Sequence, residues 1–550
     1  MTPNAKLPTT HDALTTSFLP RDTSVELVDF TVGGLLEERS RTHADTTALV
    51  GTRHGDGVET RLTYAELYDE AGRVAATLAA IAGPGDRVAL WAPNVVEWPI
   101  IQYGAALAGV TLVALNPVLR QSELEYALTH SGSKVLIHAD KSRAYDLAEV
   151  VRAIAPGYPD LTTISLSDRS SWQSAEVDAG VLANAPSDPD LPVMLQYTSG
   201  TTGKPKGVLL RHRSLVNVAK LTLDFVGVAP GSVTVNPLPM FHTAACVIGT
   251  IGPLWIGGTE VLIEQFAPAP VLDRIRDEKA SVLFYVPAVL GALLEQVRET
   301  GATAPQLDTI MGGASNVPSA MIEAAERTFG ARIINLFGQT ELAPVLSATR
   351  RDDTREDQLR TIGHPLAQVD CKIIDPITGE TLPIGETGEI CARGYQQFIE
   401  YLHDPEATAR AHDAEGYVRT GDLGSMDERG YITLSGRLKD LIIRGGENIA
   451  PAEIESCLAE HDSVLEATVI GLPDEKMGEI VAAVVRVRGD EPDNLHKSLY
   501  EHVAQRLSPY KIPTRWFVAT DLPVTPTGKV QKFAVAQVIE KGGLREIAKS

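Results

Sequence analysis

The sequence predicts an α/β protein with a large N-terminal part built of α/β segments and a small α+β domain at its C-terminal end. Two observations carry this: helical periodicities alternate with short apolar strands, and the character of the chain changes near Gly436. Such alternation belongs to architectures with substantial parallel sheet. At 550 residues the chain also exceeds one ordinary domain, length alone suggesting about three or four.

The first helix signal is Thr63-Tyr-Ala-Glu66, the spacing of a capping box, in which hydroxyl and carboxylate satisfy free N–H groups reciprocally. Leu67, Ala71, Val74, Leu78 and Ile81 follow in steps of four and three, which makes one helical face, and Gly83 is a natural stop. Short apolar strands are expected at 87–91, near 110–114, at 134–138 and at 281–285. After Gly436 the chain restarts with strand-like residues 441–443 and a Gly445-Gly446 turn. Pro451 then suits the first turn of a helix with Ile454 and Leu458 on one face. The expected organisation is a loose arm over 1–25, an N-terminal domain over 26–436, a connection at 437–440 and a C-terminal domain over 441–550.

Composition narrows the function. The net charge of −22, from 49 basic and 71 acidic side chains, argues against nucleic acid and anionic membrane surfaces, both of which need a basic face. It leaves room for an anionic small ligand in a local pocket. The four cysteines, Cys246, Cys371, Cys391 and Cys457, include no CxxC pair. A reducing cytoplasm without disulfides or structural zinc is therefore expected. No signal peptide is expected at the N-terminus. The most apolar window, 100–115, is shorter than the ~20 residues of a spanning helix and reads as core.

The chemistry centres on segment 197–208, Tyr-Thr-Ser-Gly-Thr-Thr-Gly-Lys-Pro-Lys-Gly-Val. Gly200, Gly203 and Gly207 let backbone N–H groups approach an anion. Thr198, Ser199, Thr201 and Thr202 add hydroxyls, and Lys204 and Lys206 add positive charge. The segment reads as a grip for a polyphosphate or, more plainly, as a surface turn. It is not a Walker A loop: the Gly-x-x-x-x-Gly-Lys-Ser/Thr order is absent, and the segment lies between two apparent strands instead of opening a helix.

At this point the chain resembles the adenylate-forming superfamily of acyl-CoA synthetases, peptide-synthetase adenylation domains and beetle luciferases. Besides the loop, the resemblance rests on Leu238-Pro-Met-Phe-His242, Gly312-Gly-Ala314, Asn335-Leu-Phe-Gly-Gln-Thr-Glu341, Tyr417-Val-Arg-Thr-Gly-Asp-Leu423, Gly436-Arg-Leu-Lys-Asp440 and Pro526-Thr-Gly-Lys529, in this order. Gly338-Gln-Thr-Glu-Leu-Ala-Pro-Val345 and Arg444-Gly-Gly-Glu-Asn-Ile-Ala-Pro451 are most similar to medium- and long-chain fatty acyl-CoA synthetases. The resemblance implies a smaller β-barrel-like part in the N-terminal domain and a mobile C-terminal domain. It implies ATP, Mg²⁺ and coenzyme A as reactants: acid and MgATP give acyl-AMP and pyrophosphate, and the CoA thiol then displaces AMP.

Site roles follow from the same resemblance. Glu341 is expected to hold Mg²⁺ with Thr198, or else to be a surface carboxylate or helix cap. Gly313, Ala314, Ser315, Gly338, Gln339 and Thr340 are expected around the nucleotide. Asn335 would bond the adenine amino group, and Phe337 would stack on the ring or serve as core. The family often has Tyr at 337, so no contact that needs a phenol is expected. Asp422 suits two ribose hydroxyls by bidentate acceptance, or stabilises a turn beside Gly421. Arg437 would add a ribose or phosphate contact. Lys529 would place one ammonium between the carboxylate and the α-phosphate; an exposed lysine is the plain reading. Lys439 matches the hinge, and Gly445, Gly446 and Glu447 would line a pantetheine tunnel. His242 would gate the acid, or be a core histidine, with 243–249 bordering the same pocket.

Competing readings remain at this level. An aryl or terpenoid acid competes with a fatty acid as substrate. A separate carrier protein competes with CoA as acceptor; only 21 residues follow Lys529, so a fused carrier is not expected. A non-catalytic binding protein is disfavoured by the joint presence of Glu341, Asp422 and Lys529. A homodimer is open, as is a lysine acetyltransferase acting on Lys529, whose charge acetylation would remove.

Overall fold

The computed structural model describes residues 13–198, 205–313, 317–444, 447–474, 476–524 and 530–547. The chain divides into two compact units. One comprises Leu19–Cys371 and Ala392–Val418; the other comprises residues 13–18, Lys372–Cys391 and the chain from Arg419 onward.

The first unit holds two large sheets. The seven-stranded sheet runs in the order Glu400–Tyr401, Lys206–Arg211, Pro192–Thr198, Thr111–Leu115, Arg87–Trp91, Val135–His138 and Thr162–Ser165. From Pro192–Thr198 onward its strands are parallel; the first two are antiparallel additions. The nine-stranded sheet runs His364–Pro365, Ser347–Ala348, Arg332–Phe337, Thr309–Gly313, Val282–Tyr285, Val233–Asn236, Thr259–Leu262, Thr47–Thr52 and Glu59–Thr63. It is parallel through its centre and antiparallel at both ends. The expected strands at 87–91, 110–114, 134–138 and 281–285 all lie in these sheets.

The capping box at Thr63 is formed. Glu66 N–H donates to Thr63 Oγ1 at 3.2 Å, and Thr63 N–H donates to Glu66 Oε2 at 2.8 Å. Helix Tyr64–Ile81 follows, with Leu67, Ala71, Val74 and Leu78 buried against the helix Glu97–Ala108. Ile81 departs from the expected face: it is 39% exposed, at the last position of the helix. Helix Glu97–Ala108 is buried on nearly every side, which explains why residues 100–115 are so apolar. Among the described residues no helix is long and apolar enough to cross a membrane.

The barrel-like part is a five-stranded sheet in the order Phe18–Leu19, Val369–Ile374, Gly388–Gly394, Val418–Met426 and Ile432–Arg437. It does not close. A barrel needs its edge strands to pair, and one edge here is a two-residue strand. The described residues of the N-terminal segment bond to residues far along the chain. Ile373 N–H donates to Ser17 O at 2.9 Å, and Ser17 Oγ donates to Pro383 O at 2.8 Å. The Arg21 guanidinium meets Asp370 at 2.7 Å, and Gln368 Nε2 donates to Val25 O at 2.8 Å. Backbone pairing and an ion pair tie the segment down.

In the second unit, strands Val418–Met426 and Ile432–Arg437 form an antiparallel pair. The compositional boundary near Gly436 falls inside this unit, and residues Leu438–Asp440 form a single 3₁₀ turn. A six-stranded sheet follows, with Gly478–Val487 paired to Ile442–Arg444, Val464–Asp474 and Arg515–Val518. Side chains alternate across Gly478–Val487 with the two-residue period of a strand. Val481, Ala483 and Val485 pack with Ile454, Leu458, Leu499 and Val503. Ala482 and Val484 pack with Phe517, Val535 and Ile539. Helices Pro451–Ala459 and Leu495–Ala504 thus serve one core and Lys532–Glu540 the other, the α+β arrangement expected. Pro451 stands at the first helical position.

Candidate active site

Ser199, Gly200, Thr201, Thr202, Gly203 and Lys204 lie outside the described residues, but the two feet of their segment are described. Thr198 ends one strand and Lys206 begins the next, directly paired across the antiparallel ladder, with Tyr197 opposite Gly207. The helix Gln121–Ser131 holds both feet. Tyr126 donates its hydroxyl to Pro205 O at 2.9 Å, and Tyr197 donates to Ala127 O at 3.0 Å. His130 Nδ1 lies 3.1 Å from the Tyr197 hydroxyl, and its ring stacks on Tyr126 at 5.4 Å. Burial, then the neighbouring His403, pushes the His130 imidazole below its ordinary value, so it favours the neutral form. Burial pushes the Tyr197 phenol upward, keeping it a donor.

Glu341 sits in the 3₁₀ turn Thr340–Leu342 that follows strand Arg332–Phe337. Its carbonyl accepts from Phe398 N–H at 2.9 Å, and its Oε1 accepts from the Tyr401 hydroxyl at 2.7 Å. Tyr401 belongs to the short strand beside Lys206–Arg211, with Val208 opposite it. Burial, followed by the Glu341 carboxylate, holds the Tyr401 phenol protonated. The Lys206 ammonium lies over the Tyr401 ring at 4.5 Å, a cation–π contact. The structure therefore brings Lys206 and Glu341 together through Tyr401, a residue the sequence did not single out, and Thr198 stands across the ladder from Lys206. Glu341 is 9% exposed and anchored at both backbone and side chain, so the surface-carboxylate reading fails.

Asn335 and Phe337 lie on strand Arg332–Phe337, with Asn335 opposite Gly312 and Leu336 opposite Gly313. The Tyr285 hydroxyl donates to Asn335 Oδ1 at 3.0 Å, and Asn335 N–H donates to Thr349 Oγ1 at 2.9 Å. The side-chain amide is thus oriented from behind. Phe337 is half-buried at the strand end, opposite Ser347. Gly338 cannot carry a side chain: a Cβ would stand 2.0 Å from Pro344 O. Gln339 and Thr340 are half-buried, while Ala314 and Ser315 lie outside the described residues. His242 is half-buried beside Phe241, ring centroids 4.3 Å apart. Its carbonyl accepts from Ala245 N–H at 3.0 Å and Cys246 N–H at 3.1 Å. It thereby opens the π-helix Ala244–Gly249.

In the second unit, Asp422 and Arg437 face each other on paired strands, Arg437 Nε 3.0 Å from Asp422 Oδ1. The Asp422 side chain is 9% exposed, that of Arg437 48%. At the turn, Gly421 N–H donates to Glu389 Oε1 at 3.1 Å, and Asp422 N–H to Thr420 Oγ1 at 3.1 Å. Lys439 and Glu447 are exposed, and Glu447 lies opposite Arg444. Gly445, Gly446 and Lys529 lie outside the described residues. Their described flanks include an antiparallel bridge between Val524 and Val530, and a bond from Gln531 N–H to Pro523 O at 2.8 Å.

Comparison with known proteins supplies context for this geometry. The family model described as AMP-binding enzyme matches residues 36–402, and the one described as AMP-binding enzyme C-terminal domain matches 453–529. The chain is 33% identical to a putative acyl-CoA synthetase, YngI, of Bacillus subtilis, over 93% of this chain and 97% of that one. It is 31% identical to a mitochondrial medium-chain acyl-CoA ligase, ACSF2, of Danio rerio, over 96% and 91%. Among solved structures it matches ATP-bound MatB from Rhodopseudomonas palustris at 28% identity and a TM-score of 0.80, over 93% of this chain and 99% of that one. It also matches the o-succinylbenzoate CoA synthetase of Bacillus subtilis in complex with its acyl-adenylate, at 28% and 0.78, over 91% and 97%.

Proposed function

The chain belongs to the AMP-binding enzyme family, and from that premise we propose how its residues divide the work of ligating a carboxylic acid to CoA. It is an AMP-forming acid–CoA ligase that uses ATP. A carboxylate oxygen of the acid attacks the α-phosphorus of ATP, and pyrophosphate departs with the electrons of the broken P–O bond. The CoA sulfur, having lost its proton, then attacks the acyl carbon, and AMP departs.

Both partners of the first step are anions, so the protein's task is to neutralise charge and align them. Lys206 and the segment it ends would hold the β- and γ-phosphates. Glu341 and Thr198 would hold Mg²⁺, which supplies charge neutralisation across the phosphate oxygens when bound. The fit is chemical: Mg²⁺ needs only one or two protein carboxylates beside phosphate oxygens, and Tyr401 occupies only one of the roughly four acceptor positions of the Glu341 carboxylate. Among the described residues no cluster of three or more His, Cys, Asp or Glu offers an all-protein cage. The carrying observation is the line from Lys206 over the Tyr401 ring to Glu341, which ties a phosphate-side cation to a metal-side carboxylate.

Asn335 and Phe337 take adenine, Asp422 with Arg437 takes the ribose, and Lys529 bridges carboxylate and α-phosphate. Lys439 is the hinge, and Gly445, Gly446 and Glu447 meet the pantetheine arm. Residues 242–249 border the acyl group. The acid we propose is a medium- to long-chain fatty acid; the ACSF2 relatives are named for medium-chain acyl-CoA, the shorter end of that range. The compartment is the cytoplasm, in keeping with four buried free cysteines.

Pyrophosphate release across fatty, aryl and polycyclic acids tests the substrate, and CoA-dependent AMP release tests the acceptor. Preference for an aryl or polycyclic acid would overturn the fatty-acid assignment. Lys529→Ala should abolish adenylate formation while sparing thioester formation from supplied adenylate; loss of neither activity would refute the role of Lys529.

A further inference from the structure

The π-helix Ala244–Gly249 has a buried brace behind it. In this wide turn Thr250 N–H bonds to Val247 O, so it does not serve Ala245 O five residues back. Two side chains serve Ala245 O instead: Thr250 Oγ1 at 3.1 Å and Asn236 Nδ2 at 3.4 Å. Gln102 Nε2 does the same for Cys246 O at 2.9 Å. The same two groups also meet at a single oxygen, the one Thr250 hydroxyl proton serving one acceptor at a time. Asn236 Nδ2 and Thr250 Oγ1 each lie 2.9 Å from Glu260 Oε1. Gly249 admits the arrangement, since a Cβ there would stand 2.4 Å from Asn236 Nδ2.

Glu260 is 3% exposed and faces a cavity of about 10 Å³ lined also by Tyr64, Tyr103 and Thr250. A carboxyl in such surroundings is costly to keep, and an apolar residue would pack there without that cost. Its two contacts both lead to the Ala245 carbonyl, which shares a peptide unit with the Cys246 amide that bonds His242 O.

We propose that Glu260 is a positioning residue for the acid substrate: through Asn236 and Thr250 it holds the π-helix Ala244–Gly249, and with it the backbone of His242, in the shape that selects the acyl group. This rests on the reading that residues 242–249 border the acyl site. Glu260 does not touch the acid; it shapes the wall the acid meets. A π-helix is a natural point for such control, because its hydrogen bonds are fewer and need outside partners.

The test uses the full chain with Glu260→Leu, Glu260→Gln and the near-isosteric Thr250→Val, which removes the bridging hydroxyl and keeps the packing if Glu260→Leu fails to fold. Hydrogen exchange should accelerate about tenfold or more in peptides spanning 243–250 of Glu260→Leu and Thr250→Val, and stay unchanged in the helix Gln121–Ser131. In pyrophosphate release with acids of graded length, KM for the acid should rise about fivefold or more and the length preference should shift. KM for ATP should stay within about twofold. Glu260→Gln, which keeps the accepting oxygen, should restore both readouts. Unchanged exchange at 243–250, or equal changes in both KM values, would overturn the role of Glu260 and leave the ligase reading standing. Wild-type protein that releases pyrophosphate with no acid would sink the ligase reading and this role together.

Discussion

Replacing Glu260 by Gln should change how the stability of the first unit depends on pH, and the size of the change follows from burial. The Glu260 carboxyl is pushed from its ordinary 4.5 up to about 8, chiefly by burial and against the pull of Asn236 and Thr250. Facing it are Tyr64, Tyr103 and Cys246, none of them a cation. A folded-state value above the unfolded one means that the folded protein holds a proton the unfolded chain has released. Stability from this group is therefore full below pH 4.5 and is lost as pH rises toward 8, after which both states are ionised. At about 1.4 kcal/mol per unit the loss is on the order of 5 kcal/mol. Gln cannot ionise, so the variant should escape it. For a unit of about 390 residues, unfolding entropy makes 1 kcal/mol worth roughly 1 °C. The melting temperature of Glu260→Gln minus that of wild type should thus grow by about 5 °C between pH 5 and pH 8.5. His212, pushed down to about 4 by burial, adds an acid-side loss to both proteins and cancels in the difference. Calorimetry at matched pH values measures it; a difference constant within about 1 °C across that range would refute the reasoning.

Tyr401→Phe removes a hydrogen bond to a charged group, worth about 1.5–3 kcal/mol; KM for MgATP should rise about tenfold or more, with partial recovery at high Mg²⁺, as titrated by pyrophosphate release. An unchanged constant would separate Tyr401 from the metal site. Asp422→Asn keeps the side-chain shape but weakens the pair with Arg437 and the acceptance of ribose hydroxyls. It should raise KM for ATP about tenfold and narrow the preference for ATP over 2′-deoxy-ATP, which competition between the two nucleotides reads directly. Site-specific acetylation of Lys529 removes its charge; acyl-adenylate formation should fall about a hundredfold or more while thioester formation from supplied adenylate persists. Full activity of the acetylated protein would exclude Lys529 from the first step.

Much of the fold was legible because its signals are local. The Thr63–Glu66 box, the apolar strands and the Pro451 helix start each depend on residues within a few positions. The family was legible where residue order itself was unusual, as in 197–208 and 335–341. Two features escaped because their partners are remote in sequence, and a third for another reason. Tyr401 reaches Glu341 across 60 positions, and Tyr126 reaches Pro205 across 79. Glu260 and Thr250 are closer, but their meeting depends on a π-helix that the pattern of small residues at 243–249 does not reveal. The edge strand Phe18–Leu19 was not legible either, since two residues carry no alternation long enough to announce a strand.

That N-terminal edge has a consequence for how the chain is made. Ser17 bonds to Pro383, 366 residues later. At a synthesis rate of about 5–20 residues per second, its partner leaves the ribosome roughly 20–70 s after Ser17 does. Until then the first strand has an unanswered backbone and stays open to chaperones, proteases and the edges of other nascent chains. The strand beginning after Ser17 is thus made long before the residues that secure it.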